Sequence, residues 1–439
     1  MSNQLPPGWL WTTVADVCLP IQKLDPRTIP NFEFEYIDIG GIDPGSGRIR
    51  QTKSLRGADA PSRARQVVRK GDVVLSTVRT YQRKVACISP DLDGAIASTG
   101  FSVLRPASGT DSKFLLYQTL SHDFISQLSE MQTGTSYPAV RDKDVRAMQI
   151  RIAPSAEQKR IVSAIEEHFS RLDAAEATLR QSLRRLDTLR SSVLAGAFHT
   201  RDDFPTTWRW STVGDVAEVK SGIQKQPKRK PNKNPAPFLR VANVLRGELL
   251  LDEVHEIELF DGELERYRIR HGDLLVVEGN GSPAQIGRAA SWSDEIDNCV
   301  HQNHLIRVSP GPNLSPKFLS LYWNAPHTAS LLRDVASSTS GLYTLSTRKI
   351  KSIPIPVAPL SEQERIAARI VGQLEKQDRL RESIRYALDR VTSLRRSVLS
   401  TAFSGRLVAQ DPTDEPASVL LDRIAASRPA KPGHQRRTP

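Results

Sequence analysis

Sulfur is scarce in this chain of 439 residues, which carries three cysteines, Cys18, Cys87 and Cys299. An odd and scattered set excludes a disulfide framework and fits buried thiols in a reducing compartment. Long apolar runs are missing too, since none reaches the ~18 residues that a membrane-spanning helix needs. The opening Met1-Ser2-Asn3-Gln4-Leu5-Pro6-Pro7-Gly8-Trp9 lacks the basic-then-apolar order of a signal peptide. A cytoplasmic protein with no membrane partner is expected.

The usual catalytic motifs are also absent. There is no Gly-x-x-x-x-Gly-Lys-Ser/Thr phosphate loop, no His-Glu-x-x-His and no Cys-x-x-Cys. Gly279-Asn280-Gly281 runs on into Ser282-Pro283-Ala284, a turn after a strand and not a dinucleotide loop. Asn234-Pro235-Ala236-Pro237 does not complete the Asn-Pro-Pro-aromatic grip of amino-methyltransferases. Cys299, His301 and His304 lie close together, but a structural zinc site needs four ligands and no second pair stands nearby. The expectation is a non-catalytic chain that binds no metal and no cofactor.

What the chain does have is positive charge and a repeat. With 61 Lys and Arg against 49 Asp and Glu, the net charge is +12, which suits a polyanionic partner. A composition of 38% hydrophobic and 25% charged residues is ordinary for folded, soluble domains. Pro154 to Phe198 aligns without a gap on Pro359 to Phe403, an offset of 205 residues. Ala153-Pro154-Ser155-Ala156-Glu157-Gln158 answers Ala358-Pro359-Leu360-Ser361-Glu362-Gln363. Upstream of each stretch, Trp9-Leu10-Trp11 is echoed by Trp208-Arg209-Trp210, and Gly71-Asp72-Val73-Val74-Leu75 by Gly272-Asp273-Leu274-Leu275-Val276. A duplicated chain has two of its working unit, and the divergent residues between shared anchors suggest two related, unequal binding specificities.

The pattern divides the sequence into a first module 1–154, a long helix 155–199, a second module 200–358, a second long helix 359–404 and a partly disordered tail 405–439. Short strand-like runs (Phe34 to Ile39, Val67 to Val68, Val73 to Leu75, Ser102 to Leu104) and a helical stretch from Ser112 to Ser129 make the modules mixed α/β. In the first long segment Ile161, Ile165, His168, Leu172, Ala175, Leu179, Ser182, Leu186, Leu189 and Val193 alternate at spacings of a coiled-coil seam. The second has Ile366, Ile370, Gln373, Gln377, Leu380, Ile384, Ala387, Val391, Leu394 and Val398 in the same register. At ~1.5 Å per residue a helix from Ser155 to Phe198 runs roughly 66 Å, the length of a spacer. Ser155 with Gln158, and Ser361 with Glu364, predict capping boxes at the helix starts. The fold expected is thus α/β, with two modules separated by two long antiparallel coiled-coil helices and an internal pseudo-twofold repeat. In the tail, Ala417 to Ala426 is predicted as one short helix.

Basic, polar and a few aromatic residues gather in the loops. Arg79, Tyr81, Arg83 and Lys84 follow the Val73 strand, Thr99 precedes the next, and Ser136, Tyr137 and Arg141 stand before a helix. In the second module Lys225, Lys228 and Arg229 crowd one loop, with Asn280, Ser282, Gln302, His304 and Tyr343 in others. Arg, Gln, Asn, Ser and Thr read base edges, and Lys and Arg neutralise phosphates. Recurring at equivalent places in both copies, the set favours nucleic acid.

The chain resembles the DNA-sequence-specificity subunit of type I restriction-modification systems. The resemblance covers nearly the whole length and rests on Leu5-Pro6-Pro7-Gly8-Trp9, the Gly71 to Leu75 run, Gly134-Thr135-Ser136-Tyr137, the Pro154 and Pro359 stretches and Asp414-Glu415-Pro416-Ala417-Ser418. It implies a subunit whose two target-recognition domains each read one half of a bipartite, asymmetric site on double-stranded DNA, with the helices setting the gap. It also implies two modification (adenine methyltransferase) subunits docked on the helices, and restriction/translocase subunits joining the same complex. S-adenosylmethionine, ATP and Mg2+ would then sit on those partners. A target-recognition subunit of a type IIB-like system, a protein-binding coiled-coil scaffold, and a standalone methyltransferase or nuclease are the alternatives.

Overall fold

The computed structural model describes residues 5–134, 138–198, 207–339 and 342–428. The chain divides into two compact units, Met1–Thr178 with Ala387–Pro439, and Leu179–Tyr386. The division falls within both long helices, so each unit owns part of each helix. The first unit is thereby assembled from both ends of the sequence.

In the first unit Leu10–Thr13 pairs antiparallel with Gln149–Ile152. One sheet has the order Cys18–Leu19, Phe101–Pro106, Val73–Ser76, Val85–Cys87, all antiparallel. A second has the order Lys53–Arg56, Glu33–Ile37, Ile96–Ser98, Ala64–Val67, with Tyr36 and Ile96 in a parallel pairing. Side chains alternate across a strand, so Val73 and Leu75 enter one core with Phe114, Leu115, Phe124 and Leu128, while Val74 enters another with Val103 and Ile88. Both faces are covered, which is why the run Val73-Val74-Leu75 is apolar throughout. The stretch predicted as one helix is two, Ser112–Leu120 and His122–Glu130. Ser121 breaks it, because its extended backbone lets its Oγ cap the second helix at Phe124 N, 3.3 Å away.

The second unit repeats this plan. Arg209–Thr212 pairs with Pro354–Val357, and the main sheet has the order Ala217–Ser221, Leu305–Pro310, Leu274–Val277, Ala289–Ser291. Its smaller sheet, His255–Glu258, Pro235–Leu239, Val300–His301, keeps the parallel pairing, with Phe238 against Val300. The recurring Gly-Asp has one cause in both units. Gly71 and Gly272 sit at φ +84° and +83°, where a side chain is strained. The buried aspartate beside each fastens the turn: Asp72 accepts from Arg69 N at 2.9 Å and Asp273 from Arg270 N at 2.8 Å.

The recurring Glu-Gln is the joint between module and helix. Trp9 Nε1 donates to Glu157 at 2.9 Å, and Trp208 Nε1 to Glu362 at 3.1 Å. Gln158 accepts from Asp111 N at 2.8 Å and donates to Ala153 O at 2.8 Å; Gln363 accepts from Ser315 N at 2.9 Å and donates to Ala358 O at 2.8 Å. These bonds overturn the predicted capping boxes. Gln158 is taken by the module, Ser155 Oγ donates to Gly109 O at 2.9 Å, and the second helix already begins at Leu360.

The long helices run Ser155–Ala197 and Leu360–Phe403. In the first unit Ile161 and Ile165 share a core with Leu399, Ala402 and Phe403, while Arg395 meets Asp173 and Glu176, so the helix segments there are antiparallel. In the second unit Arg190 pairs with Asp378 at 3.0 Å and Asp187 with Arg381, again antiparallel. Of the expected seam, Ile161, Ile165, Ile366, Ile370 and Val391 are buried, and Leu172, Leu179, Leu186, Val193, Ile384 and Val398 are half-buried. Leu189, Leu380 and Leu394 correct the register: they are 49%, 52% and 42% exposed. The residues one step later, Arg190, Arg381 and Arg395, turn inward in their place. An arginine breaks an apolar pattern in sequence, yet its stem packs in a seam while its head pairs across it. Arg395 also lies 5.3 Å over the Phe169 ring.

The segment after the second helix folds onto the first unit as far as Arg428. Its helix Ala417–Ser427 buries Ala417, Leu420 and Ile424 in the core that holds Trp9 and Phe114. Ala417 N donates to Gly8 O at 2.9 Å, and Arg160 pairs with Asp414. No described helix is long and apolar enough to cross a membrane.

Candidate nucleic-acid interface

Three loops converge at the end of each central strand, tied by the same backbone bonds. In the first unit Thr77 N donates to Gly100 O at 2.9 Å and Val140 N to Thr77 O at 2.9 Å. In the second, Glu278 N donates to His304 O at 3.0 Å and Leu345 N to Glu278 O at 2.8 Å. The loops after the central strand, before the next strand, and before the returning helix are thereby held side by side. Most residues expected to touch DNA lie on them.

On the first hub, Arg79 and Arg83 flank the short turn Thr80–Gln82 at φ 49° and 52°, left-handed conformations that cost a non-glycine residue about 1 kcal/mol or more. The turn is anchored by Thr80, whose buried Oγ1 lies 2.8 Å from Ser129 Oγ and accepts from Gln132 Nε2 at 2.6 Å. Tyr81 at its tip is 56% exposed. Arg79 N is held by Pro138 O at 2.9 Å, which ties the first loop to the third. Arg141 is exposed, pairing with Asp144 at 2.9 Å, and Thr99 is exposed. Lys84 turns inward, donating to Ile39 O at 3.1 Å. Ser136 and Tyr137 lie outside the described residues.

On the second hub, Asn280 faces Tyr343 across the ladder Gly279–Asn280 with Leu342–Thr344. Ser282 precedes the short turn Pro283–Gln285, Gln302 N donates to Leu239 O at 2.9 Å, and exposed His304 bonds Glu278 at 2.9 Å. The lysine-rich loop starts from Ile223, which exchanges backbone bonds with His301 and Asn303 at 2.8 and 2.9 Å. Lys225 and Lys228 are exposed on it, and Lys228 lies 5.6 Å over the Phe260 ring. Arg229 is structural there: it pairs with Glu263 at 2.7 Å, pulling that carboxyl down to about 2. Glu278, the hub residue matching Thr77, escaped the sequence reading, although its place directly after the central strand marks it.

The Cys299, His301 and His304 side chains take separate partners. Cys299 lies 3.7 Å from Val300 O, His301 bonds Leu305 O and His304 bonds Glu278. Burial pushes the thiols of Cys18 and Cys299 up to about 12 and that of Cys87 to about 11, far from nucleophilic. Burial also pulls His301 down to about 4 from its ordinary 6.5. The unfolded chain then accepts a proton that the folded one refuses. Stability is full above pH ~6.5 and falls as pH drops towards ~4, by about 3 kcal/mol across that window. Denaturant melts between pH 7.5 and 4.5 should show this slope shrinking in His301→Gln; parallel slopes would refute the assignment.

Comparison with known proteins agrees with this duplicated plan. The chain matches the family model of the type I restriction modification DNA specificity domain over residues 60–185 and 205–389. It is 26% identical to the type I restriction enzyme EcoKI specificity subunit of Escherichia coli (strain K12), covering 75% of each chain. It is equally 26% identical to the StySPI specificity subunit of Salmonella potsdam, covering 75% of this chain and 74% of that one. A solved chain from work on complex assembly and conformational transition of a type I R-M system superposes with a TM-score of 0.78 at 30% identity, covering 92% of this chain and 100% of that one. The HsdS subunit from Thermoanaerobacter tengcongensis superposes with a TM-score of 0.55 at 29% identity, covering 92% of this chain and 98% of that one. With both repeats matched, the chain belongs to the type I restriction-modification DNA specificity family.

Proposed function

We propose that this chain is the non-catalytic DNA-reading subunit of a cytoplasmic type I restriction-modification complex. Each recognition domain reads one half of a bipartite, asymmetric double-stranded site, and the long helices set the gap. Two modification subunits, adenine methyltransferases that bind S-adenosylmethionine, dock on the helices. Restriction/translocase subunits bring ATP and Mg2+. The observation that carries this reading is the hub built twice from the same backbone bonds but dressed with different side chains: Arg79, Tyr81, Arg83, Thr99 and Arg141 on one, Asn280, Ser282, Gln302, His304 and Tyr343 on the other. One scaffold with two chemistries suits two unequal half-sites.

Single-molecule sequencing of methylated adenines tests it. Cells with this chain and its methyltransferase partner should show a two-part motif with a constant gap, and deletion of this chain alone should erase methylation at that motif. Unaltered methylation after deletion would reject the reading.

A further inference from the structure

One side of the first unit gathers positive charge without a counter-ion. Arg83, at the exit of the Tyr81 turn, donates from its guanidinium to His122 Nδ1 at 3.0 Å. His122 lines a cavity together with Arg151, Arg396, Trp11, Gln149 and Asp123. Arg151 is committed, because Nη1 donates to Phe403 O at 2.7 Å and the guanidinium lies 4.9 Å over the Trp11 ring. Arg83 and Arg396 have no ion pair among the described residues, and His122 links them, bonded to the first and lining the cavity with the second. Burial first, and the Arg396 charge after it, hold Arg83 below the usual guanidinium range. Asp123 is the carboxylate among the lining residues and pairs with neither.

Arginines elsewhere in this unit have found carboxylates, as in Arg65 with Asp25, Arg105 with Asp72 and Arg160 with Asp414. A half-buried Arg83 and an exposed Arg396, both reaching the His122 neighbourhood and neither with a carboxylate, favour a shared tetrahedral anion whose oxygens accept from both forks. The neighbourhood selects the anion. Arg83 closes the turn that presents exposed Tyr81, so a duplex lying on that turn carries its sugar-phosphate backbone past the cavity. We propose that Arg83 and the cavity-lining Arg396, with His122 lining the same cavity and bonded to Arg83, clamp one DNA backbone phosphate beside the first half-site. The second long helix then helps set the register of the duplex and is more than a spacer. This rests on the DNA-reading assignment above.

The second unit has a counterpart. Arg246 is held below its usual range by burial and by the charges of Arg288 and Arg333. Its Nη1 is buried without a partner, and its Nη2 donates to Ala284 O at 3.3 Å, on the loop that follows the central strand. Each module thus keeps arginines without carboxylates at the base of a reading loop.

The test uses the full chain assembled with its modification subunits on duplexes carrying the motif found by methylation sequencing. Each phosphate in and around the first half-site is replaced in turn by a neutral methylphosphonate. The wild type should bind about tenfold more weakly at one position, and Arg396→Gln should be insensitive there. Arg396→Gln should also reduce the slope of log affinity against log salt by about one, with Arg396→Lys in between. Specific binding with the wild-type methylphosphonate profile and salt slope in Arg396→Gln overturns the clamp alone. A wild-type complex that binds no DNA overturns the DNA-reading assignment instead. Loss of a modification subunit from the Arg396→Gln complex, with an unaltered DNA profile, means that the cavity receives protein and also overturns the clamp.

Discussion

Leu420→Ala is expected to lower the stability of the first unit by about 3 kcal/mol, and truncation after Ser404 to unfold that unit, leaving the second folded. Leu420 is 3% exposed, within the core that includes Trp9, Phe114 and Phe403. Deleting its isobutyl group opens a cavity where the helix Ala417–Ser427 meets the module. Truncation goes further, because it removes Ile424, the Ala417 N bond to Gly8 O and the Asp414 partner of Arg160 as well. Hydrogen exchange followed by peptide separates the units. Fast exchange in Val73–Ser76 with retained protection in Leu274–Val277 is the predicted result, and equal protection in both would refute it. Methylation of the two-part motif should be lost with the truncation, since both half-sites must be read.

The second large effect is at Asp72. This carboxylate is 1% exposed and pairs with Arg105 at 2.7 Å while accepting from Arg69 N. Asp72→Ala leaves a half-buried guanidinium with no carboxylate and only Val67 O to bond, and a turn amide without its partner, a loss of about 3 to 5 kcal/mol. The equivalent change at Asp273 should cost less, because its closest approach to Arg307 is 3.7 Å. Thermal melts of the two variants rank them, and a larger loss at Asp273 would contradict the argument.

The sequence revealed wherever a residue type has one structural use. Gly71-Asp72 and Glu157-Gln158 could be seen as anchors by their recurrence alone, and they prove to be a turn at positive φ and a helix joint. Where a side chain has two uses, the sequence misled. Arg190, Arg381 and Arg395 look like surface residues and pack as seam, so Leu189, Leu380 and Leu394 took their places in the pattern. Gln158 looked like a cap and bonds the module. Lys84 and Arg229 looked like phosphate ligands, yet the first is bound to Ile39 O and the second to Glu263. Arg83 was visible as a loop cation, but its neighbours His122 and Arg396 come from a distant helix and from the far end of the chain. No local pattern carries such a meeting.

The hubs have one more consequence. Their cross-loop bonds, Thr77 N to Gly100 O and Val140 N to Thr77 O, Glu278 N to His304 O and Leu345 N to Glu278 O, use peptide groups alone. Every residue except proline supplies the same donor, so this part of the fastening is blind to side-chain identity, and Thr77 Oγ1 to Gly100 O at 3.0 Å and His304 to Glu278 at 2.9 Å are the side-chain bonds added to it. A point change at a loop position outside these side-chain bonds, such as Tyr81, can therefore alter what is recognised without loosening what holds the loops. Divergence at the tips is nearly free of folding cost, whereas the Gly-Asp and Glu-Gln anchors tolerate no drift. A lineage built on such a scaffold can trade one target for another by small steps, each of them folded.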